Sequence, residues 1–174
     1  MHLKKTASLF ILLTGLLAAN LGLAHTMPQA ELALGKVQLG STLQQVSTAW
    51  GQPTKMTNEV FSEGIQLARY YYGNDLEVIG RGFLPEVPVG ELKVTGFRCQ
   101  SKDYTTPSGI AVGTAYSKVV EKFGAGEKLN REYVVNPVPG CTYYIYDVAQ
   151  TGRQMLLAVN EEDIIQFLEI NIEL

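Results

Sequence analysis

Hydrophobic residues along this chain switch between two spacings, and the whole alternation occurs twice. Leu43, Val46 and Trp50 stand at i, i+3 and i+7, and Tyr116, Val119, Val120 and Phe123 repeat that stripe. Such spacing puts one apolar face on a helix of about nine residues. Ser41 and Thr114 sit where an N-cap is wanted, and Gln44 follows Ser41 by three positions, as in a capping box. Gly51 and Gly124 are expected to end the helices, with Pro53 reinforcing the first stop. A short apolar strand is expected before each helix, at 36–39 and 109–112.

Beyond each helix a loop is expected, and then the pattern becomes that of strands. Ile65–Tyr72 and Thr142–Val148 are rich in tyrosine and β-branched residues. Strands are also expected at 155–159, 164–173 and 91–99, and the segment from Gly80 to Pro88 reads as an edge or a protruding loop. A middle strand in the first half begins either at Leu76 or at Phe83. Alternation turns Leu168 and Ile170 to one side and Glu169 and Asn171 to the other. Applied through the chain, it predicts Tyr70, Tyr143, Ile145, Thr95, Phe97 and Cys99 inward, and Arg69, Tyr71, Tyr144, Tyr146 and Arg98 outward.

The two halves align without a gap at an offset of 73 residues. Leu39-Gly40-Ser41 falls on Val112-Gly113-Thr114, Trp50-Gly51 on Phe123-Gly124, and Tyr70-Tyr71 on Tyr143-Tyr144. A duplication of this kind predicts one supersecondary unit used twice. The expected fold is α+β: two tandem helix–turn–three-strand repeats forming one antiparallel sheet, with helices packed on one face and the other face open. The first repeat is assigned to 25–107 and the second to 108–174, fused into one domain.

Residues 1–24 carry Lys4 and Lys5, an apolar run and the small-x-small site Gly22-Leu23-Ala24, the pattern of a secretory signal peptide. No cysteine adjoins the cleavage site, so no lipid anchor is expected, and the remaining chain has no run long enough to span a membrane. The protein is therefore expected to be secreted or periplasmic. Without Lys4 and Lys5, 12 basic residues face 17 acidic ones, a net charge near −5. There is no basic stripe, which argues against nucleic-acid binding. In an exported chain the pair Cys99 and Cys141 reads as a disulfide, closing a loop worth roughly 4 kcal/mol.

Catalytic and metal chemistry is poorly provided for. His25 is the sole histidine after the signal segment, so Ser-His, Cys-His and His-pair arrangements have no partner. Glu161, Glu162 and Asp163 read as a solvated hairpin tip, with a weak calcium site as the alternative. No cofactor is expected, and Gly80-Arg81-Gly82 is not a phosphate loop because no helix follows it.

The run Gly40-Ser41-Thr42-Leu43-Gln44-Gln45-Val46 through Trp50-Gly51, repeated at Gly113-Thr114 through Phe123-Gly124 and followed by aromatic strands, resembles the repeat of the β-lactamase inhibitor proteins. It is also similar to the BamE-type outer-membrane assembly lipoproteins. The inhibitor resemblance implies a concave, aromatic-rich sheet that grips a partner protein with the help of a loop. The sequence therefore points to a non-enzymatic, monomeric protein-binding module, with inhibition of an extracytoplasmic enzyme as one form of it. A cell-envelope scaffold component and, less favoured, a small hydrolase using Asp or Glu are the alternatives. The surface expected to bind comprises Arg69, Tyr71, Arg98, Tyr144, Tyr146 and Glu169, with Phe83 and Leu84 supplied by the loop unmatched in the second half.

Overall fold

A computed structural model describes residues 26–134, 136–149 and 151–172. The expected signal segment 1–24 lies outside the described residues. In chain order the elements are β1 (Thr26–Met27), β2 (Ala33–Leu34), β3 (Val37–Gln38), α1 (Leu43–Trp50), β4 (Lys55–Val60), β5 (Ile65–Tyr72), β6 (Leu76–Phe83), β7 (Lys93–Cys99), α2 (Tyr116–Phe123), β8 (Glu127–Leu129), β9 (Thr142–Val148), β10 (Arg153–Val159) and β11 (Ile165–Ile172). The fold is α+β. A nine-stranded sheet runs β1-β9-β10-β11-β7-β6-β5-β4, with β8 also on β9. It is mixed rather than wholly antiparallel, because β1 lies parallel to β9. Among the described residues no helix is long and apolar enough to cross a membrane.

Cross-strand partners share a face. Phe97 pairs with Ile170, Ile170 with Met155 and Met155 with Tyr146. At one end of that row Trp50 of α1 packs on Phe97, with centroids 6.3 Å apart, and at the other Tyr146 meets Tyr116 of α2. Both helices therefore cover the same side of the sheet. Leu43, Val46, Tyr116 and Val119 are buried there, with Trp50, Val120 and Phe123 partly buried against the same core. Close approach requires glycine at Gly80, where a Cβ would lie 2.7 Å from the Leu43 side chain.

The entrances of the two helices are tied alike. Gly40 N–H donates to Val94 O, Leu43 N–H to Leu92 O and Val94 N–H to Ser41 O. At the second helix Gly113 donates to Ile165 O, Tyr116 to Asp163 O and Ile165 to Thr114 O. Each last strand also bulges against the strand before it, between Ile79 and Gly80 in one case and Ala158 and Val159 in the other.

The caps differ from expectation. Thr42, not Ser41, caps α1, and its partner in the capping box is Gln45 rather than Gln44. The α2 N-cap is Ala115, and the carboxylate of Asp163 accepts from Ser117 N–H instead, at 3.0 Å. Thr114 accepts from Ala111 N–H in the preceding turn.

The Cys99–Cys141 disulfide is not formed: both thiols are free. Cys99 lies on β7 and Cys141 immediately precedes β9, and β10 and β11 lie between those strands. Three strand spacings amount to roughly 14 Å, against the ~7 Å Cα limit of a disulfide. Burial pushes the Cys99 thiol above its ordinary range.

Candidate functional site

The side of the sheet away from the helices holds the site. One row of paired residues crosses it: Lys55 on β4, Tyr71 on β5, Glu77 on β6, Arg98 on β7, Glu169 on β11, Leu156 on β10 and Ile145 on β9. Alternation places these residues outward because the neighbouring row of Tyr70, Val78 and Phe97 faces the core.

A ladder of opposite charges follows the row. Arg69 Nη1 lies 3.5 Å from Glu59 and its Nε 3.1 Å from Glu77; Arg98 Nη1 lies 3.9 Å from Glu77 and its Nε 3.3 Å from Glu169. The Arg98 Nε contact is an attraction between charges without hydrogen-bond alignment. Asn171 extends the chain by donating to Glu169 Oε1 at 2.9 Å. The side chains of Glu77 and Glu169 are 17% and 12% exposed, so these carboxylates sit low in the sheet where attraction is less screened than at a free surface.

Beside the ladder lies a groove of about 460 Å³. Ile65, Leu67 and Ile79 give it an apolar lining, Thr95 and Arg81 add polar groups, and Phe61 stands at its end. The Arg81 Nε is shielded from solvent with no hydrogen-bond acceptor among the described residues, and its guanidinium lies 5.4 Å from the Phe83 ring centroid. Phe83, Leu84 and Phe61 are 67%, 53% and 41% exposed. Leu84 is anchored by its N–H to Gly64 O, which joins the β6 end to the β4–β5 turn.

The structure thus brings Arg69, Tyr71, Arg98 and Glu169 onto one face and sets Phe83 and Leu84 at its corner. It does not bring Tyr144 or Tyr146 there. Tyr144 stacks on Tyr116 of α2 with centroids 4.1 Å apart, and Tyr146 is fully buried, its hydroxyl 2.9 Å from Gly124 O. Tyr70 and Tyr72 occupy the helix side with Tyr144 and Tyr146, because the stretch from Gly124 to Tyr144 is one residue longer than that from Gly51 to Tyr70. A one-residue shift exchanges the two faces of a strand.

Tyr143 and Ile145 accordingly point away from the helices, yet both are buried. The end of β8 and residues beyond it stand over them: Tyr143 accepts from Val138 N–H, and Leu129, Tyr133 and Val134 line a small cavity with Ile145 and Leu156. Among the described residues the open face is therefore covered on its β9–β10 half and uncovered over β4 to β7. Thr95 also faces outward, displaced by the bulge opposite Ile79 and Gly80. Sequence reasoning missed Phe61, Glu77 and Arg81. Their signal would have been β4, whose pairing sets the phase of the whole β4–β5–β6 corner.

The acidic turn Asn160–Asp163 is tied to the fold through Asp163 and through Asn160, whose side chain accepts from Ile164 N–H at 2.8 Å. Among the described residues no group of three or more His, Cys, Asp or Glu side chains is placed to hold a metal ion.

No family model matches the sequence, and no curated protein matches it. Two solved structures are similar to it. One is the DUF4309 family protein YjgB from Bacillus subtilis, 15% identical with a TM-score of 0.41, over 86% of this chain and 88% of that one. The other is the uncharacterized protein YfeY from Escherichia coli, 9% identical with a TM-score of 0.43, over 83% of this chain and 99% of that one.

Proposed function

We propose that this chain is an exported, non-enzymatic protein-binding module that grips its partner with the groove and corner of the open sheet face. The observation that carries this reading is the exposure of Phe83, Leu84 and Phe61 together beside the groove. Clustered large apolar residues on a soluble surface mark interaction sites. An apolar groove and corner beside a ladder of paired charges suit specific docking, since the apolar residues supply binding energy and the ladder penalises mismatched partners.

The proposal includes a tandem organisation of two like units, as in the inhibitor proteins that the sequence resembles. Supporting it are the matched hydrogen bonds at the two helix entrances, the matched bulges, and the meeting of β7 with β11 at the middle of the sheet. The cover over the β9–β10 half leaves the first unit as the binding half. Arg69, Tyr71, Phe83, Leu84, Arg98 and Glu169 remain in the proposed surface, joined by Phe61 and Arg81.

The test is affinity capture from envelope and medium fractions, comparing the wild type with Phe83→Ala/Leu84→Ala. The double variant is expected to weaken capture of a specific partner by about 2 kcal/mol while its melting temperature stays close to that of the wild type. Equal capture by both proteins would remove the corner from the binding site and overturn this reading.

A further inference from the structure

At one end of the sheet β9 is flanked by β1 and β8, so that edge is covered. At the other end, among the described residues, β4 pairs with β5 alone; its six residues carry no proline and no bulge, and its two charges, Lys55 and Glu59, are of opposite sign. Long flat edges are usually blunted by such devices, because their free N–H and C=O groups can template another strand. We propose that β4 pairs antiparallel with β4 of a second copy of this chain, in the register that sets Thr57 opposite the partner's Thr57.

Backbone phase permits this pairing. In an antiparallel ladder, N–H and C=O groups of successive residues turn alternately to the two neighbours. Phe61 N–H donates to Ile65 O at 2.8 Å, so Glu59, Thr57 and Lys55 direct their backbone groups at β5 as well. Met56, Asn58 and Val60 direct theirs at the empty edge. With Thr57 on the two-fold axis, Met56 falls opposite the partner's Asn58, and both bring edge-facing groups to the new ladder.

Side-chain chemistry selects the register. Lys55 falls opposite the partner's Glu59, and Glu59 opposite the partner's Lys55. Both pairs occupy the closer, non-hydrogen-bonded positions, where opposite charges stabilise a sheet. Thr57 falls opposite its symmetry mate, but its hydroxyl is already shielded within its own chain, so the two ion pairs select the register. A slip of two residues would instead set Lys55 against the partner's Phe61 and leave Glu59 facing a threonine. Since cross-strand partners share a face, the two grooves would open on the same side of one continuous sheet. The pairing of edges does not depend on those grooves binding protein.

Light scattering over a micromolar-to-millimolar concentration series tests it. The wild-type protein is expected at twice the mass of one chain. Lys55→Glu and Glu59→Lys should each fall to the single-chain mass, because each sets like charges opposite one another. Mixed in equal amounts they should recover the doubled mass, since both carboxylates of one variant strand then face lysines of the other. Met56→Pro, which removes an edge-facing N–H and spares the β4–β5 ladder, should also halve the mass with an unchanged circular dichroism spectrum. A wild type that stays at single-chain mass throughout, single charge variants that keep the doubled mass, or a mixture that fails to recover it overturns the proposal.

Discussion

Tyr116 and Tyr146 form a buried hydrogen-bonded knot under α2. Tyr146 Oη lies 3.1 Å from Tyr116 Oη and 2.9 Å from Gly124 O, and Gly126 N–H donates to Tyr116 Oη at 2.9 Å. Nothing larger than glycine fits at Gly126, where a Cβ would lie 2.7 Å from the Tyr146 ring. Burial pushes both phenols above their ordinary range, and for Tyr146 the hydrogen bond with Tyr116 adds to the rise. A raised folded-state pKa means that the native protein keeps protons the unfolded chain has lost. The knot's contribution is therefore complete below the unfolded tyrosine pKa of about 10 and is lost as pH climbs beyond it. The melting temperature should fall once pH passes about 10. Tyr146→Phe should start about 1–2 kcal/mol less stable, from lost hydrogen bonds, and decline less steeply. Calorimetry across that range checks both, and equal slopes for the two proteins would count against the knot. The sequence pattern put Tyr116 on the apolar face of its helix but Tyr144 and Tyr146 on the wrong face of the sheet. The sequence pattern reads Ile145 as inward, whereas it lies on the other face, where Leu129, Tyr133 and Val134 line a small cavity with it.

At the scale of elements, legibility followed the contrast between faces. β5 and β9 agree with the expected bounds because their tyrosines and β-branched residues meet a core. Of the two starts left open for the first half's middle strand, Leu76 is the one observed, and the strand runs on to Phe83, since Gly80 and Gly82 are close-approach points beneath Leu43 and Leu92 rather than breaks. β4 was invisible: five of its six residues are exposed, so Lys-Met-Thr-Asn-Glu-Val carries no alternation to read. The helices were legible but their caps were not, because a cap depends on which turn comes first and, for α2, on a residue far along the chain. Thr42→Ala should cost about 1 kcal/mol, and Ser41→Ala much less. Asp163→Gly should cost a similar ~1 kcal/mol, since glycine keeps the positive φ of 64° while removing the carboxylate that caps α2. Urea denaturation of the three variants checks the order. Equal losses at Ser41 and Thr42 would place the start of α1 elsewhere.

The two halves of the molecule meet where β7 pairs with β11 through Cys99–Leu168, Arg98–Glu169 and Phe97–Ile170. Two of these pairs are apolar and face the core. The third is ionic and faces the groove, so Arg98 joins the halves and floors the candidate site together. The offset of 73 residues predicted a duplicated unit but not this junction, which the pairing of β7 with β11 shows. Only the structure shows that the charges on the other side form one ladder across β4, β5, β6, β7 and β11. The value of such a ladder depends on its burial. Exposed pairs contribute about 0–1 kcal/mol, and breaking a buried pair costs about 3–5 kcal/mol. Arg98 is 39% exposed but Glu169 only 12% and Glu77 17%, so the joint belongs between those limits. Arg98→Met keeps most of the stem and leaves two neighbouring carboxylates without their shared cation; it should cost about 1–2 kcal/mol. Adding Glu169→Gln should restore part of that loss, because the repulsion created by the first change is removed by the second. The coupling is expected to shrink in high salt, while the cost of an apolar change at Phe97 would not. Urea melts of the single and double variants at low and high salt measure this. Strict additivity at both salt concentrations would mean that the halves are joined by Phe97–Ile170 and Cys99–Leu168 alone.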